Sequence, residues 1–215
     1  MKIKKPVFYR NITFFGLYLL FFIGVTVIVM LNAKKDTFLF INGAHHPFSD
    51  FFFSAFTLMG DGIFIIAIAL FMFVLKIKRL ALGILSSYLI SGLMVQVVKR
   101  LINLPRPAGF LPDPSVIHAV YAATLNQHNS FPSGHTTSAF AAAVIISLYT
   151  GKKSVAIITL IVACLVAYSR VYLGQHFVED VLAGSFVGVI AGTFCYWLQE
   201  KLLAKSYEKH NWGKL

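Results

Sequence analysis

The stretch SRVYLGQHFVED, residues 169–180, sets Arg170, His176, Glu179 and Asp180 between two strongly apolar runs. Burying an ionisable group beside a bilayer costs roughly 2.5–3.5 kcal/mol even on the lenient insertion scale. A cluster of four therefore needs a use. His176 and Asp180 stand four residues apart, so they meet on one helical face. A carboxylate that accepts the Nδ1 proton of an imidazole fixes its tautomer and leaves Nε2 basic, as in a hydrolase triad. The same spacing also fits a structural His–Asp pair. Glu179 points about 100° away on a helix and is expected to be a solvated neighbour.

Two further stretches carry groups suited to anions. In PSGH, residues 132–135, Ser133 and Gly134 open an apolar run. A helix starting there offers free backbone N–H groups and the positive end of its dipole. Gly134 lets the backbone approach a ligand closely, and Ser133 equally fits an ordinary N-cap. In KRLINLPRP, residues 99–107, Pro105 and Pro107 stiffen the chain around Arg106. A rigid guanidinium suits bidentate capture of a phosphoryl group. Lys99 and Arg100 close the preceding run. Either could be a snorkelling anchor, and that is the expectation for Arg100. A metal centre is not expected, because two-metal sites need several carboxylates and here at least three cations accompany Asp180 and Glu179.

The elements that must position these residues are membrane helices. The chain of 215 residues is 58% hydrophobic and 13% charged, about half the charge of an ordinary soluble domain. Several runs reach the roughly 20 residues that one crossing requires, and no alternating run suggests a barrel strand. The reading is an all-α, polytopic bundle, one domain over residues 1–215. Six transmembrane helices are expected at about 11–31, 62–76, 80–99, 135–150, 153–170 and 177–200. The Phe-rich segment 36–60, broken by Asn-Gly and Pro47, is expected to be a short interfacial helix. His45 and His46 in it, and His118 and His128 further on, are expected to be ordinary interfacial or loop residues. Cys164 and Cys195 lie in apolar runs and read as small buried hydrophobes. The opening MKIKKPVFYR and the run after it resemble a signal peptide in charge order. The run is too long and lacks a small-residue cleavage site, so it reads as a retained first helix.

Six crossings put both termini beside the basic turns KIKR (76–79) and GKK (151–153). That side carries thirteen Lys and Arg against six on the other, which places both termini in the cytoplasm. The net charge of +11 is then a topology signal, and no nucleic-acid partner is expected. The same topology brings Lys99, Arg106, His135, Arg170, His176 and Asp180 to one outer mouth of the bundle. Residues 107–134 are expected to cover or line that mouth. The Gly184, Gly188, Gly192 ridge continues the His176–Asp180 face and should turn it into the bundle.

The three stretches together resemble the three-part signature of the type 2 phosphatidic acid phosphatase superfamily, with all key positions and spacings matched. The resemblance implies His176 as nucleophile forming a phosphohistidine, Asp180 orienting it and His135 as the general acid. It further implies a phosphate clamp of Lys99, Arg106, Arg170, Ser133 and the Gly134 amide, working without metal or other cofactor. The expectation is a lipid phosphatase of the cytoplasmic membrane with its site on the extracytoplasmic face. Undecaprenyl diphosphate, phosphatidylglycerol phosphate or phosphatidic acid is the expected substrate, with lipid A as an alternative. From another class, a lipid or anion transporter could use the same cations, but it would need neither the His–Asp pair nor a second histidine. The soluble haloperoxidases of the family do not fit so apolar a chain. Oligomeric state leaves no trace in the sequence.

Overall fold

A computed structural model describes residues 7–120 and 125–212. The basic residues Lys2, Lys4, Lys5 and Lys214, and residues 121–124 of the expected cover, lie outside the described residues. A short 3-10 turn leads into α1, Ile12–Leu31, whose start is capped by Asn11 accepting from the Phe14 N–H. There follow α2 (Lys34–Gly43), α3 (Pro47–Thr57), a 3-10 turn at Leu58–Gly60, and α4 (Gly62–Val74). The remainder is α5 (Lys78–Ile102), a single turn α6 (Pro107–Phe110), α7 (Gly134–Thr150), α8 (Lys153–Tyr172) and α9 (Val178–Trp212). Among the described residues there is no strand.

Four stretches are long and apolar enough to cross a membrane: Tyr9–Leu31, Lys78–Phe110, Lys153–Tyr172 and Val178–Ala204. A fifth is available if Pro47–Gly60 and Gly62–Val74, bent by 59° at their junction, form one broken span. The expected interfacial helix at 36–60 is instead two helices, α2 and α3. Pro47 can begin a helix but not continue one, and the His46 ring caps the new start by accepting from the Phe48 N–H. Asn103, at φ 41°, closes α5 with its N–H on the Lys99 carbonyl, and Gly151, at φ 64°, closes α7 on that of Ser147.

α7 has 17 residues, about 25 Å of helix. It is buried along nearly its whole length, with Phe140, Val144, Ile145 and Leu148 fully enclosed. It packs against α5, α8 and α9, while α1 and α4 turn large side chains such as Leu20 and Ile63 outward. Lipid tails are as apolar as leucine, so helices in a bilayer associate through close packing and interhelical hydrogen bonds. The contact between α7 and α9 shows both. A Cβ on Gly184, Gly188 or Gly192 would lie 2.7, 2.4 and 2.8 Å from the carbonyl oxygens of Ser133, Thr137 and Ala141. Thr137 Oγ1 donates to the Gly184 carbonyl at 3.1 Å.

The bundle has two distinct ends. At one, Arg10 and Asn11 donate to the carbonyls of Leu148 and Ser147 at 3.0 and 3.1 Å. Arg79 pairs there with Glu200, and Tyr149 bonds Gln199. The opposite end collects the C-termini of α5 and α8 and the N-termini of α7 and α9.

The glycine ridge yields a stability test. Gly188→Ala should lower the melting temperature of the detergent-solubilised protein, by an overpacking penalty of about 1–3 kcal/mol. Gly24→Ala, where an added methyl meets nothing within 4 Å, should lower it little or not at all.

Candidate active site

Ser133 and Gly134 open α7 as expected. Ser133 is fully buried; its Oγ accepts from the Thr136 N–H at 3.5 Å and from Thr136 Oγ1 at 3.0 Å. Its own N–H donates to the Asp180 carbonyl at 3.0 Å. The N–H groups of Gly134 and His135 have no acceptor among the described residues. A Cβ on Gly134 would meet nothing within 4 Å. Two unpaired amides at a helix N-terminus thus border open space, the arrangement that binds anions.

Three cations flank those amides. Lys99 stands in the last turn of α5. Past Pro105, Arg106 is fixed on several sides. Its N–H donates to the Gln127 carbonyl at 2.8 Å, its Nε to that of His128 at 3.0 Å, and its Nη1 to Gln175 Oε1 at 3.1 Å. Arg170, only 9% exposed, donates from Nη1 to Thr57 Oγ1 at 2.8 Å, and its buried Nε has no partner among the described residues.

Arg170 also sets the position of His176. Gly174 adopts a left-handed φ of 71°, with Ile117 packed where its side chain would be. The chain turns there, and the N–H groups of Gln175 and His176 both reach the Arg170 carbonyl, at 3.0 and 3.1 Å. His176 is 2% exposed. Its Nδ1 lies 3.4 Å from Asp180 Oδ2, a contact without hydrogen-bond geometry. The same oxygen accepts from Ser130 Oγ at 2.5 Å and from the Phe177 N–H at 2.8 Å. Burial pushes the His176 imidazole well below the ordinary histidine range. Asp180 opposes this, while Arg170 and Arg106 add to it. Burial thus favours the neutral imidazole.

His135 completes the set. Its side chain is about one-third exposed, its Nε2 lies 3.6 Å from Asp61 Oδ2, and it feels the charges of Arg170, Arg106 and Lys99. All eight residues singled out in the sequence, Lys99, Arg106, Ser133, Gly134, His135, Arg170, His176 and Asp180, therefore meet at one end of the bundle. Arg100 stays outside, exposed. Among the described residues no three His, Cys, Asp or Glu side chains cluster as metal ligands would.

Some neighbours depart from expectation. Glu179 is half-buried, and its Oε2 is enclosed without a hydrogen-bond partner. The expectation of a fully solvated neighbour is met only in part. His118 is held by Asp50, with Nε2 3.1 Å from Oδ2, and stacks on His45 with ring centroids 4.0 Å apart. Tyr172 also donates to Asp50, at 2.6 Å. These contacts tie the segment after α6 to α3 and α8. His128 is exposed and contributes only its carbonyl.

The sequence reading missed Ser130, Gln175, Thr57 and Asp61. Ser130 and Gln175 sit beside recognised motifs and bond their members. Asp61 had a signal of its own, as an acid alone between a Phe-rich run and an apolar helix.

A buried imidazole, a second histidine, two amides at a helix N-terminus and three cations gathered at one end of the bundle form a set that can carry phosphoryl transfer. Such a reaction gathers negative charge on oxygens that fixed donors stabilise. Comparison with known proteins agrees. Residues 80–204 match the model of the PAP2 superfamily. The chain is 31% identical to the lipid A 4'-phosphatase of Porphyromonas gingivalis over 172 residues, 78% of this chain and 73% of that protein. It is 32% identical to lipid phosphate phosphatase 1 of Arabidopsis thaliana, covering 61% of this chain and only 47% of the plant protein. Among solved structures it resembles Aquifex aeolicus LpxE, with a TM-score of 0.68 and 31% identity over 76% of this chain and 94% of that one. It also resembles the Bacillus subtilis PAP2-type phosphatidylglycerolphosphate phosphatase, with a TM-score of 0.65 and 27% identity over 90% and 97%. The chain belongs to the PAP2 superfamily, which includes membrane proteins named as lipid phosphatases.

Proposed function

We propose that the protein is a metal-independent lipid phosphatase that works through a phosphohistidine. The neutral, almost fully buried imidazole of His176 beside Asp180 carries the reading. Lys99, Arg106, Arg170, Ser133 and the Gly134 amide grip the phosphoryl oxygens. The Nε2 lone pair of His176 attacks phosphorus, a P–N bond forms, and the bond to the lipid oxygen breaks. His135 gives that oxygen its proton. Water then attacks the phosphohistidine, passing a proton to His135 and releasing inorganic phosphate. A pure binding site for anions would need the cations alone, so the pair of histidines favours an enzyme over a transporter.

The bundle is read as one domain with six crossings. The five candidate spans are joined by α7, which is enclosed by its neighbours and so need not match the full hydrocarbon thickness of about 30 Å. The bias of Lys and Arg toward the end bearing Arg10, Arg79 and Lys152 supports cytoplasmic termini, with the site on the extracytoplasmic face of the cytoplasmic membrane. A lipid phosphate lies at that depth. Undecaprenyl diphosphate, phosphatidylglycerol phosphate and phosphatidic acid are the proposed substrates. The long match to a lipid A 4'-phosphatase favours lipid A as a second reading.

Purified protein assayed against these lipids, with and without chelator, tests the proposal. At least one should release phosphate at a rate the chelator leaves unchanged; no release from any, or loss of activity on chelation, would contradict it. His176→Ala should lower the rate by at least about 10³-fold, as loss of a triad-type nucleophile does, and a variant with normal turnover would remove the assignment. The kcat/KM profile should be bell-shaped. Because burial lowers the His176 pKa, the neutral nucleophile persists into acid, and the acid limb should fall below the ordinary histidine value of about 6.5.

A further inference from the structure

The break between α3 and α4 touches the site at three points. Thr57, the last residue of α3, holds the Arg170 guanidinium. Gly60 is pressed onto the start of α7, where a Cβ would lie 2.6 Å from the His135 carbonyl oxygen. Asp61 caps α4, with Oδ1 accepting from the Ile63 N–H at 2.8 Å. Its other oxygen, Oδ2, faces His135 Nε2 at 3.6 Å. None of these residues belongs to the matched segment 80–204.

We propose that Asp61 is a positioning residue that turns His135 Nε2 toward itself, so that Nδ1 is left to protonate the leaving oxygen. The inference rests on His135 acting as the general acid. The charged groups facing His135 are Asp61 from the α3–α4 break, Lys99 from α5, Arg106 from the following loop and Arg170 from α8. Three of the four are cations and Asp61 is the one carboxylate among them, and Gly60 keeps the break close to α7. The site then holds two imidazole–carboxylate pairs of opposite sense. His176 meets Asp180 through Nδ1 and reacts through Nε2 without its proton; His135 meets Asp61 through Nε2 and reacts through Nδ1 with one.

Asp61→Asn in the full chain separates charge from folding, since asparagine caps a helix about as well as aspartate. With a lipid phosphate that the wild type hydrolyses, kcat should fall about tenfold or more near pH 7.5 while KM changes less than about twofold. The alkaline limb of the profile should move down by about one pH unit or more, because a neighbouring carboxylate stabilises an imidazolium by that order. With p-nitrophenyl phosphate, whose leaving group needs no proton, the loss should largely disappear. Asp61→Glu should restore part of the lipid activity. Asp61→Ser, which also caps, serves as a second variant. A folded variant with an unmoved alkaline limb, or with equal loss on both substrates, overturns the proposal. Unfolding of both the Asn and Ser variants would make Asp61 purely structural and overturn it as well. Normal turnover by His176→Ala would instead strike the phosphohistidine mechanism itself, so the two failures are distinct.

Discussion

Ser133 donates its amide proton to the Asp180 carbonyl, 3.0 Å away, and Gly184 lies so close that a Cβ on it would stand 2.7 Å from the Ser133 carbonyl. This near-contact of backbones holds the first turns of α7 and α9 together. One turn carries the Gly134 and His135 amides, which have no acceptor among the described residues; the other carries Asp180 and, just before it, His176. Side chains larger than hydrogen along the Gly184–Gly188–Gly192 ridge would separate the helices and draw the imidazole away from the amides. Since a bilayer gives apolar helices little reason to associate, small residues and the Thr137–Gly184 hydrogen bond keep the pocket closed.

Charge placement follows from that geometry. Arg170 is almost fully buried and its Nε has no partner among the described residues, and Lys99 and Arg106 add two more cations against Asp180 and the more exposed Asp61. Removing water strengthens each of these fields, so an anion between the cations meets donors that need little reorganisation. The same desolvation lowers the His176 pKa. One environment therefore suits both an anion and the neutral imidazole that the proposed mechanism needs. The hydrogen bonds of Arg106 to Gln175 and His128, and of Arg170 to Thr57, aim the cations before any ligand arrives.

The residues at the site were legible because their types are expensive in an apolar chain and their spacings define helical faces. Lys99, His135, Arg170 and His176 each stand near a helix end, and counting crossings sufficed to bring them to one side. The glycine ridge was legible for the same reason: a four-residue period survives any uncertainty about helix ends. The segment 34–60 was less so. Its phenylalanines gave one apolar impression, whereas Pro47 and the His46 cap divide it in two. Thr57 and Asp61 were missed because their partners, Arg170 and His135, lie more than seventy residues away, and a bend between helices leaves no periodic trace. Glu179 misled through its neighbours, since helical phase gives direction but says nothing of what packs there.

The most direct measurement is rapid quenching of the purified protein during turnover of a lipid phosphate under alkaline conditions that preserve phosphoramidates, followed by peptide mass spectrometry. The phosphohistidine mechanism predicts a transient phosphate on the peptide containing His176, absent from the His176→Ala protein. Turnover at the full rate with no phosphate on His176 at any time, or phosphate on another residue, would contradict it.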